Sequence, residues 1–313
     1  MTREWTQTKW TLRVAAGVCV VLSSVAAWGQ DYLFAYFKEP GNQGIYLALS
    51  KDGFHFAPLN DGMPWVKPEQ PGEVMRDVFL TRGKNGQFLM VWTWSWRGRS
   101  MGFARSDDLV HWGEQMEIPI MESFPEIRNV WAPELDWDAR AKKWMVMWSS
   151  AKTDEPEGNR IWFSLTSDFK SFSTPKILFD PGYEVIDATM YHGKGKQYLV
   201  FKDQTRDPLR YQIRYATGPT VEGPWSDISA PVTESWSEGP SVIKVGKEYV
   251  LYYDHYRAPH AQYEGVESAD WVHWTSVDDK MSFPEHAKHG SFMEITPAEA
   301  KRLEARHDGA VSR

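Results

Sequence analysis

Four carboxylates and a histidine recur along this chain at nearly one interval. They are Asp77 in Met-Arg-Asp-Val, Glu134 in Trp-Ala-Pro-Glu, Asp187 in Val-Ile-Asp-Ala, Glu238 in Ser-Glu-Gly-Pro and His289 in Lys-His-Gly. The steps between them are 57, 53, 51 and 51 residues. Each stands at the head of a run of strand-forming residues. If those strands are equivalent members of a repeat, the five side chains converge on one place. Unpaired buried carboxylates are costly, so a fold does not gather several of them for stability. Crowded acids with displaced protonation are a mark of chemical sites, and proton transfer is the work they do.

The elements that must position them form a repeat. Ala48-Leu-Ser-Lys-Asp52-Gly-Phe-His-Phe56, Ala104-Arg-Ser-Asp-Asp108-Leu-Val-His-Trp112 and Leu165-Thr-Ser-Asp168-Phe-Lys-Ser-Phe172 are variants of one segment. So are Ala216-Thr-Gly-Pro-Thr-Val-Glu-Gly-Pro-Trp225 and Glu267-Ser-Ala-Asp270-Trp-Val-His-Trp274. Four of the five place an Asp four residues before an aromatic, and the aromatics step by 56, 60, 53 and 49. A strand-built repeat of about 50 residues predicts a β-propeller, and five copies predict five blades. Hairpin turns fall at Asn85-Gly86, Asp138–Lys142, Gly193–Gly195 and Gly246. Asp31–Phe37 and Gly44–Ser50 read as strands free to pair with a last strand at Gly290–Thr296, closing the ring and removing a sheet edge. Thr296-Pro-Ala-Glu299 has the signature of a helix start, with a short helix to about Arg306. The expected fold is all-β, a five-bladed propeller over 31–296 closed by N-terminal strands, with a short helix and tail over 297–313.

Residues 1–29 read as a signal peptide: Arg3, Lys9 and Arg13 precede the apolar run Val14–Ala27. The run is short for a membrane anchor. The sole cysteine, Cys19, lies within it, so an exported mature chain has no disulfide. A secreted or periplasmic protein, free of the membrane after cleavage and monomeric, is expected. The net charge of −7 argues against nucleic acid, which asks for a basic face. The 17 tryptophans include Trp112, Trp225 and Trp274 at the repeat position, read as blade packing, and Trp94, Trp131 and Trp236 near the expected funnel. Those three are candidates to stack on the flat face of a ligand or to pack in the core. Arg76 and Arg214 are candidates to bond ligand hydroxyls or hold the carboxylates ionised.

Arg76-Asp77, Trp131-Ala-Pro-Glu134, Ile186-Asp187 and Ser237-Glu-Gly-Pro240 occur in the order and at the spacing of glycoside hydrolase family 43, and from about Asp31 to Thr296 the chain resembles that family. The family's catalytic aspartates are usually followed by Pro; here Val78 and Ala188 follow. The resemblance implies that Asp77 is a general base, Glu238 a general acid and Asp187 the carboxylate that tunes the acid and orients the sugar. Glu134 is then structural or substrate-orienting. It implies inverting hydrolysis, with base and acid roughly 6.5–9.5 Å apart and the acid's affinity for its proton raised by negative Asp187. Relatives use a histidine near the axis to help hold a hydrated cation, so His289 is either a calcium contact through water or a core histidine; no cofactor is needed for the chemistry. The implied substrate is a plant oligo- or polysaccharide cut at a terminal unit, α-L-arabinofuranosyl first, with β-D-xylosidase or galactose-releasing activity behind. A non-catalytic sugar-binding propeller and a glycoside phosphorylase are the alternatives.

Overall fold

The computed structural model describes residue 1 and residues 30–70, 73–155, 157–259 and 261–310, the last four without side chains. The expected signal peptide, with Cys19, lies outside the described residues. Among the described residues no helix is long and apolar enough to cross a membrane.

Strands β1 (Asp31–Phe37), β2 (Tyr46–Ser50) and β3 (Ala57–Pro58) form one sheet with the last strand of the chain. The second sheet is β4 (Arg76–Arg82), β5 (Phe88–Thr93), β6 (Met101–Ser106) and β7 (Met116–Ile118). The third is β8 (Trp131–Asp138), β9 (Lys143–Ser150), β10 (Arg160–Thr166) and β11 (Lys176–Phe179). The fourth has three strands, β12 (Val185–His192), β13 (Gln197–Asp203) and β14 (Gln212–Gly218). The fifth is β15 (Ser237–Val245), β16 (Glu248–His255), β17 (Gln262–Ser268) and β18 (Thr275–Ser276). The last strand, β19 (Lys288–Ile295), pairs antiparallel with β1, Asp31 opposite Ile295. Each sheet is antiparallel, as hairpins require. Asn85-Gly86 makes the turn between β4 and β5, with Gly86 at φ 85°.

The inner strands touch in a closed cycle: β4 meets β8, β8 meets β12, β12 meets β15, β15 meets β19 and β19 meets β4. This is the predicted five-bladed propeller. Five apolar clusters fill it, each shared by two neighbouring sheets. Trp92, Trp148, Tyr252 and Phe34 are among the largest wholly buried side chains. Area removed from water is the main stabilising term, at about 25 cal/mol per Å2 of apolar surface, and aromatics supply much of it here. Helix α1 (Pro297–Ala310) runs four residues longer than the sequence suggested. It begins with a reciprocal box: Glu299 accepts from the Thr296 N–H at 2.8 Å, and Thr296 Oγ1 accepts from the Glu299 N–H at 3.3 Å. Ala300 and Leu303 anchor it in the cluster between the first two sheets.

The repeated Asp segments sit where the third strand of a sheet ends. In Ser106–Trp112, Asp108 Oδ1 accepts from the N–H groups of Val110 and His111 at 2.8 Å each, and Ser106 Oγ accepts from Leu109 at 2.9 Å. Asp52, Asp168 and Asp270 repeat the pattern. Their job is local: a carboxylate satisfies the backbone of a tight turn. Strand register puts them at the end of each sheet opposite the inner-strand heads.

Candidate active site

Every inner strand is irregular at the same place. The pairing register shifts between Arg76 and Phe79, Trp131 and Glu134, Ile186 and Thr189, and Glu238 and Ser241. On the β1–β19 pair it shifts between Ala35 and Phe37. Such bulges bend a strand and re-aim its side chains. Asp77, Ala132, Asp187 and Gly239 carry the positive φ of these bulges, at 50°, 45°, 53° and 58°. The result is that consecutive residues of one strand, which a regular strand would send to opposite faces, reach one cavity: Arg76 with Asp77, and Ile186 with Asp187.

That cavity holds about 330 Å3 and is lined by Arg76, Asp77, Thr93, Trp96, Trp131 and Ile186, with Asp187, Lys202, Gln204, Tyr211, Glu238, Tyr256 and His289 completing it. So Asp77, Asp187, Glu238, His289, Arg76 and Trp131 lie together, as their spacing suggested. Four expected residues are placed elsewhere. Glu134 lies two positions beyond the bulge residue Ala132 and is buried outside the cavity lining, where burial pushes its carboxyl well above the usual range. Trp94 packs against Trp92 in the core between the first two sheets. Arg214 pairs with Asp203, 3.5 Å away. Trp236 stands edge-on to Tyr211 and Tyr256, behind the lining, with Arg257 over its ring.

The carboxylates are held from several directions. The Thr93 hydroxyl donates to Asp77 Oδ2 at 2.7 Å and accepts from the Ala132 N–H at 2.8 Å. The Gly239 N–H donates to Asp187 Oδ2 at 3.3 Å, and Ser149 Oγ accepts from the Asp187 N–H at 3.0 Å. His289 Nδ1 lies 3.6 Å from Asp77 Oδ1 and 3.9 Å from Asp187 Oδ2. Gly239 makes this placement feasible: a Cβ there would come within 2.4 Å of the His289 ring. The Lys202 ammonium lies 2.9 Å from Glu238 Oε2 and 3.2 Å from the Tyr256 hydroxyl. Arg76 bonds Glu39 at 2.6 Å, and its guanidinium lies 4.0 Å from the exposed Trp96 ring.

Burial pushes the Asp187 carboxyl up to about 6; His289 opposes this and the Glu238 charge adds to it. Burial would also push Glu238 up, but the Lys202 charge and hydrogen bond, with His289 and Lys288 behind them, hold it below the usual range. This reverses the expected direction, in which Asp187 repulsion raised the acid: a close ammonium outweighs a more distant carboxylate. The His289 ring faces two carboxylates, Asp77 and Asp187, while the Lys202 and Lys288 ammonium groups pair with Glu238 and Asp254. Among the described residues no group of three or more His, Cys, Asp or Glu is arranged to hold a metal.

Sequence reasoning missed Thr93, Trp96, Lys202, Gln204, Tyr211 and Tyr256. One signal could have found part of this set. Thr93, Ser149, Lys202 and Asp254 occupy the same register position on the second strands, opposite Arg76, Trp131, Ile186 and Glu238. They follow one another by 56, 53 and 52 residues.

An α-L-arabinofuranosidase of Bifidobacterium longum subsp. longum is 24% identical over 270 residues, covering 69% of this chain and 25% of that protein. The chain thus spans about a quarter of the length of that curated relative. Among solved structures, an endo-1,4-β-xylanase from Bacteroides thetaiotaomicron superposes with a TM-score of 0.57 at 13% identity, covering 84% of this chain and 93% of that one. An endo-arabinase from the same species gives 0.56 at 13% identity, covering 67% and 81%. At these identities the two structures speak for the shared propeller fold. The sequence profile of the glycosyl hydrolase 43-related family, described as a probable glycosyl hydrolase domain, matches residues 29–301. With that match across nearly the whole propeller, the chain belongs to the glycoside hydrolase family 43-related proteins.

Proposed function

We propose that the chain is an exported, inverting, exo-acting glycoside hydrolase that removes terminal sugars from plant cell-wall polysaccharide, α-L-arabinofuranosyl foremost. The observation that carries this reading is the gathering of Asp77, Asp187, Glu238 and His289 around one small cavity. About 330 Å3 is near the lower end of small-molecule pockets, roughly 300–1,000 Å3, which suits one terminal unit better than a long polymer. Exposed Trp96 and partly buried Trp131, tied by a 3.1 Å hydrogen bond from the Trp131 indole to the Trp96 carbonyl, offer ring faces at its mouth. Arabinofuranosyl comes first because the curated relative is an arabinofuranosidase; β-D-xylosyl and galactosyl units follow.

In this reading Asp77 takes a proton from water as the water oxygen bonds the anomeric carbon. Glu238 gives its proton to the leaving oxygen as the glycosidic bond breaks. Asp187 bonds sugar hydroxyls, while the Thr93 hydroxyl and His289 hold Asp77. Lys202 beside Glu238 favours one second reading, a sugar-binding propeller without turnover, because a carboxylate held ionised gives no proton.

Release of p-nitrophenol from α-L-arabinofuranoside, β-D-xyloside, β-D-galactofuranoside and β-D-galactopyranoside decides between them. One sugar is expected to turn over, with Asp77→Asn abolishing it. Silence on all four, with polysaccharide binding intact, moves the assignment to the binding module. Recovery of a processed protein outside the cytoplasm, beginning near residue 30, checks export.

A further inference from the structure

The second strands of four successive sheets carry Thr93, Ser149, Lys202 and Asp254 at or one residue before their ends, and each reaches the inner-strand head of the following sheet. Thr93 accepts from Ala132, Ser149 from Asp187, Lys202 donates to Glu238, and Asp254 accepts from Lys288 at 3.0 Å. Hydroxyls suffice at two of these joints. At the third stands a full positive charge, facing the carboxyl that the proposed reaction needs protonated.

The surroundings of that charge are built for it. The Lys202 side chain is 2% exposed, whereas that of Glu238 is 28% exposed and opens into the cavity. Besides Glu238 and the Tyr256 hydroxyl, the ammonium lies 4.5 Å from the centre of the Tyr256 ring and 5.4 Å from that of Tyr211. A carboxylate, a hydroxyl and two aromatic faces keep a buried ammonium charged, and these partners hold its proton more firmly than in water. Lys202 is therefore no proton donor itself. Other groups face Glu238 as well: Asp187 from β12, Asp254 across the β15–β16 pair, and Lys288 and His289 from β19. Lys202 is the one bonded to it.

We infer that Lys202 is a positioning residue for Glu238: its caged ammonium fixes the carboxyl at the cavity wall and sets how acidic the medium must be before Glu238 carries the proton that the leaving oxygen takes. This rests on the hydrolase reading and deepens it. The consequence is an acid-range enzyme for natural linkages. A sugar alkoxide leaves poorly and needs the proton; p-nitrophenolate leaves without it. The alkaline fall in kcat/KM then belongs to Glu238, and it lies low because of Lys202.

The test compares wild type with Lys202→Met and Lys202→Arg on an alkyl glycoside and on the p-nitrophenyl glycoside of the sugar the panel identifies. With the alkyl glycoside, Lys202→Met is expected to move the alkaline fall upward by about 1–3 pH units, the span an adjacent opposite charge imposes on a carboxyl. Lys202→Arg keeps it near the wild-type position. The p-nitrophenyl substrate shows little of this limb in any form. An unchanged limb in Lys202→Met overturns the inference while leaving the hydrolase reading intact. A second measurement needs no turnover: the carboxyl 13C signal of Glu238 in glutamate-labelled protein, assigned through Glu238→Gln. Its titration midpoint rises in Lys202→Met if the inference holds and stays put if it does not. A wild type without turnover, or one indifferent to Asp77→Asn, defeats the hydrolase reading, and the titration still judges Lys202. Should Lys202→Met not fold, Lys202→Gln gives the same readings.

Discussion

Asp108 and Asp187 are the same residue type in the same repeat, at opposite ends of their sheets. Asp108 accepts two backbone N–H groups of its own turn, faces the Ser106 hydroxyl, and lies 2.8 Å from the His111 ring. Burial alone would raise its carboxyl, but the His111 and Val110 contacts together outweigh it and bring it down to about 2. Asp187 receives one long backbone bond, shares its space with Asp77, Glu238 and His289, and is raised to about 6. The difference teaches that an aspartate in a repeat says little by itself. Where neighbouring amides satisfy it, it serves the turn. Where a bulge turns it into a crowded cavity with few donors, protonation becomes its business.

The largest expected effects break the comparison if they fail. Asp77→Asn should lower turnover by about 10²–10⁴-fold, the share general acid–base groups supply, with thermal unfolding nearly unchanged. Asp108→Ala should do the reverse, leaving turnover in place. An Asp108→Ala variant as inactive as Asp77→Asn would erase the division. Next, Gly239→Ala should displace His289, because the added carbon meets its ring. Displacing a catalytic neighbour by about 1 Å costs up to roughly 10²-fold in rate; a fall in kcat/KM without that displacement in a crystal structure would mean the glycine acts otherwise.

Stability is the smaller axis. Loss of the Asp108 hydrogen bonds should cost about 1–2 kcal/mol, a fall in Tm of roughly 2–4 °C per kcal/mol for a domain of this size. The pH dependence sharpens the contrast. Asp108, held at about 2, contributes stability that is complete above about pH 4 and lost as pH falls through about 2. Asp187 and Asp254 are raised, to about 6 and about 7, chiefly by burial. Their contribution is complete below about pH 4 and lost as pH rises through about 6–7. Tm should therefore be greatest near about pH 4 and decline from there to about pH 7, and Asp254→Asn should flatten that decline. A decline that is unchanged in Asp254→Asn assigns it to other groups. The smallest effect is Thr296→Ala, about 1 kcal/mol from the helix cap, seen in Tm alone.

Much of this was legible in the sequence because blades repeat. The Asp–aromatic segments gave the period, the period gave the ring, and three of the four acids fell in the cavity. Glu134 did not, because it lies two positions past the bulge residue Ala132, at the register position of Phe79 and Thr189, while Ala132 holds the position of Asp77 and Asp187. The second-strand ring escaped for another reason. Thr and Ser share a hydroxyl but Lys and Asp do not, so the common spacing becomes visible only once the inner strands have been placed. The direction of the Glu238 shift depended on Lys202, 36 residues away in sequence, and reading the acids alone could not weigh it. Trp94, Arg214 and Trp236 show that nearness in sequence to a funnel residue does not decide whether a side chain faces the funnel or the core.

The pairing of β1 with β19 also bears on how the chain is made. Strand β1 is wholly buried, rich in Leu33, Phe34, Tyr36 and Phe37, and it emerges from the ribosome first among the described strands. One of its two partners, Lys288–Ile295, emerges last. Throughout synthesis an apolar strand must wait with one edge open, the condition under which nascent chains pair with the wrong neighbour. Production of this protein should therefore respond to holding chaperones and to slower, cooler expression, and misassembled material should be linked through Asp31–Phe37.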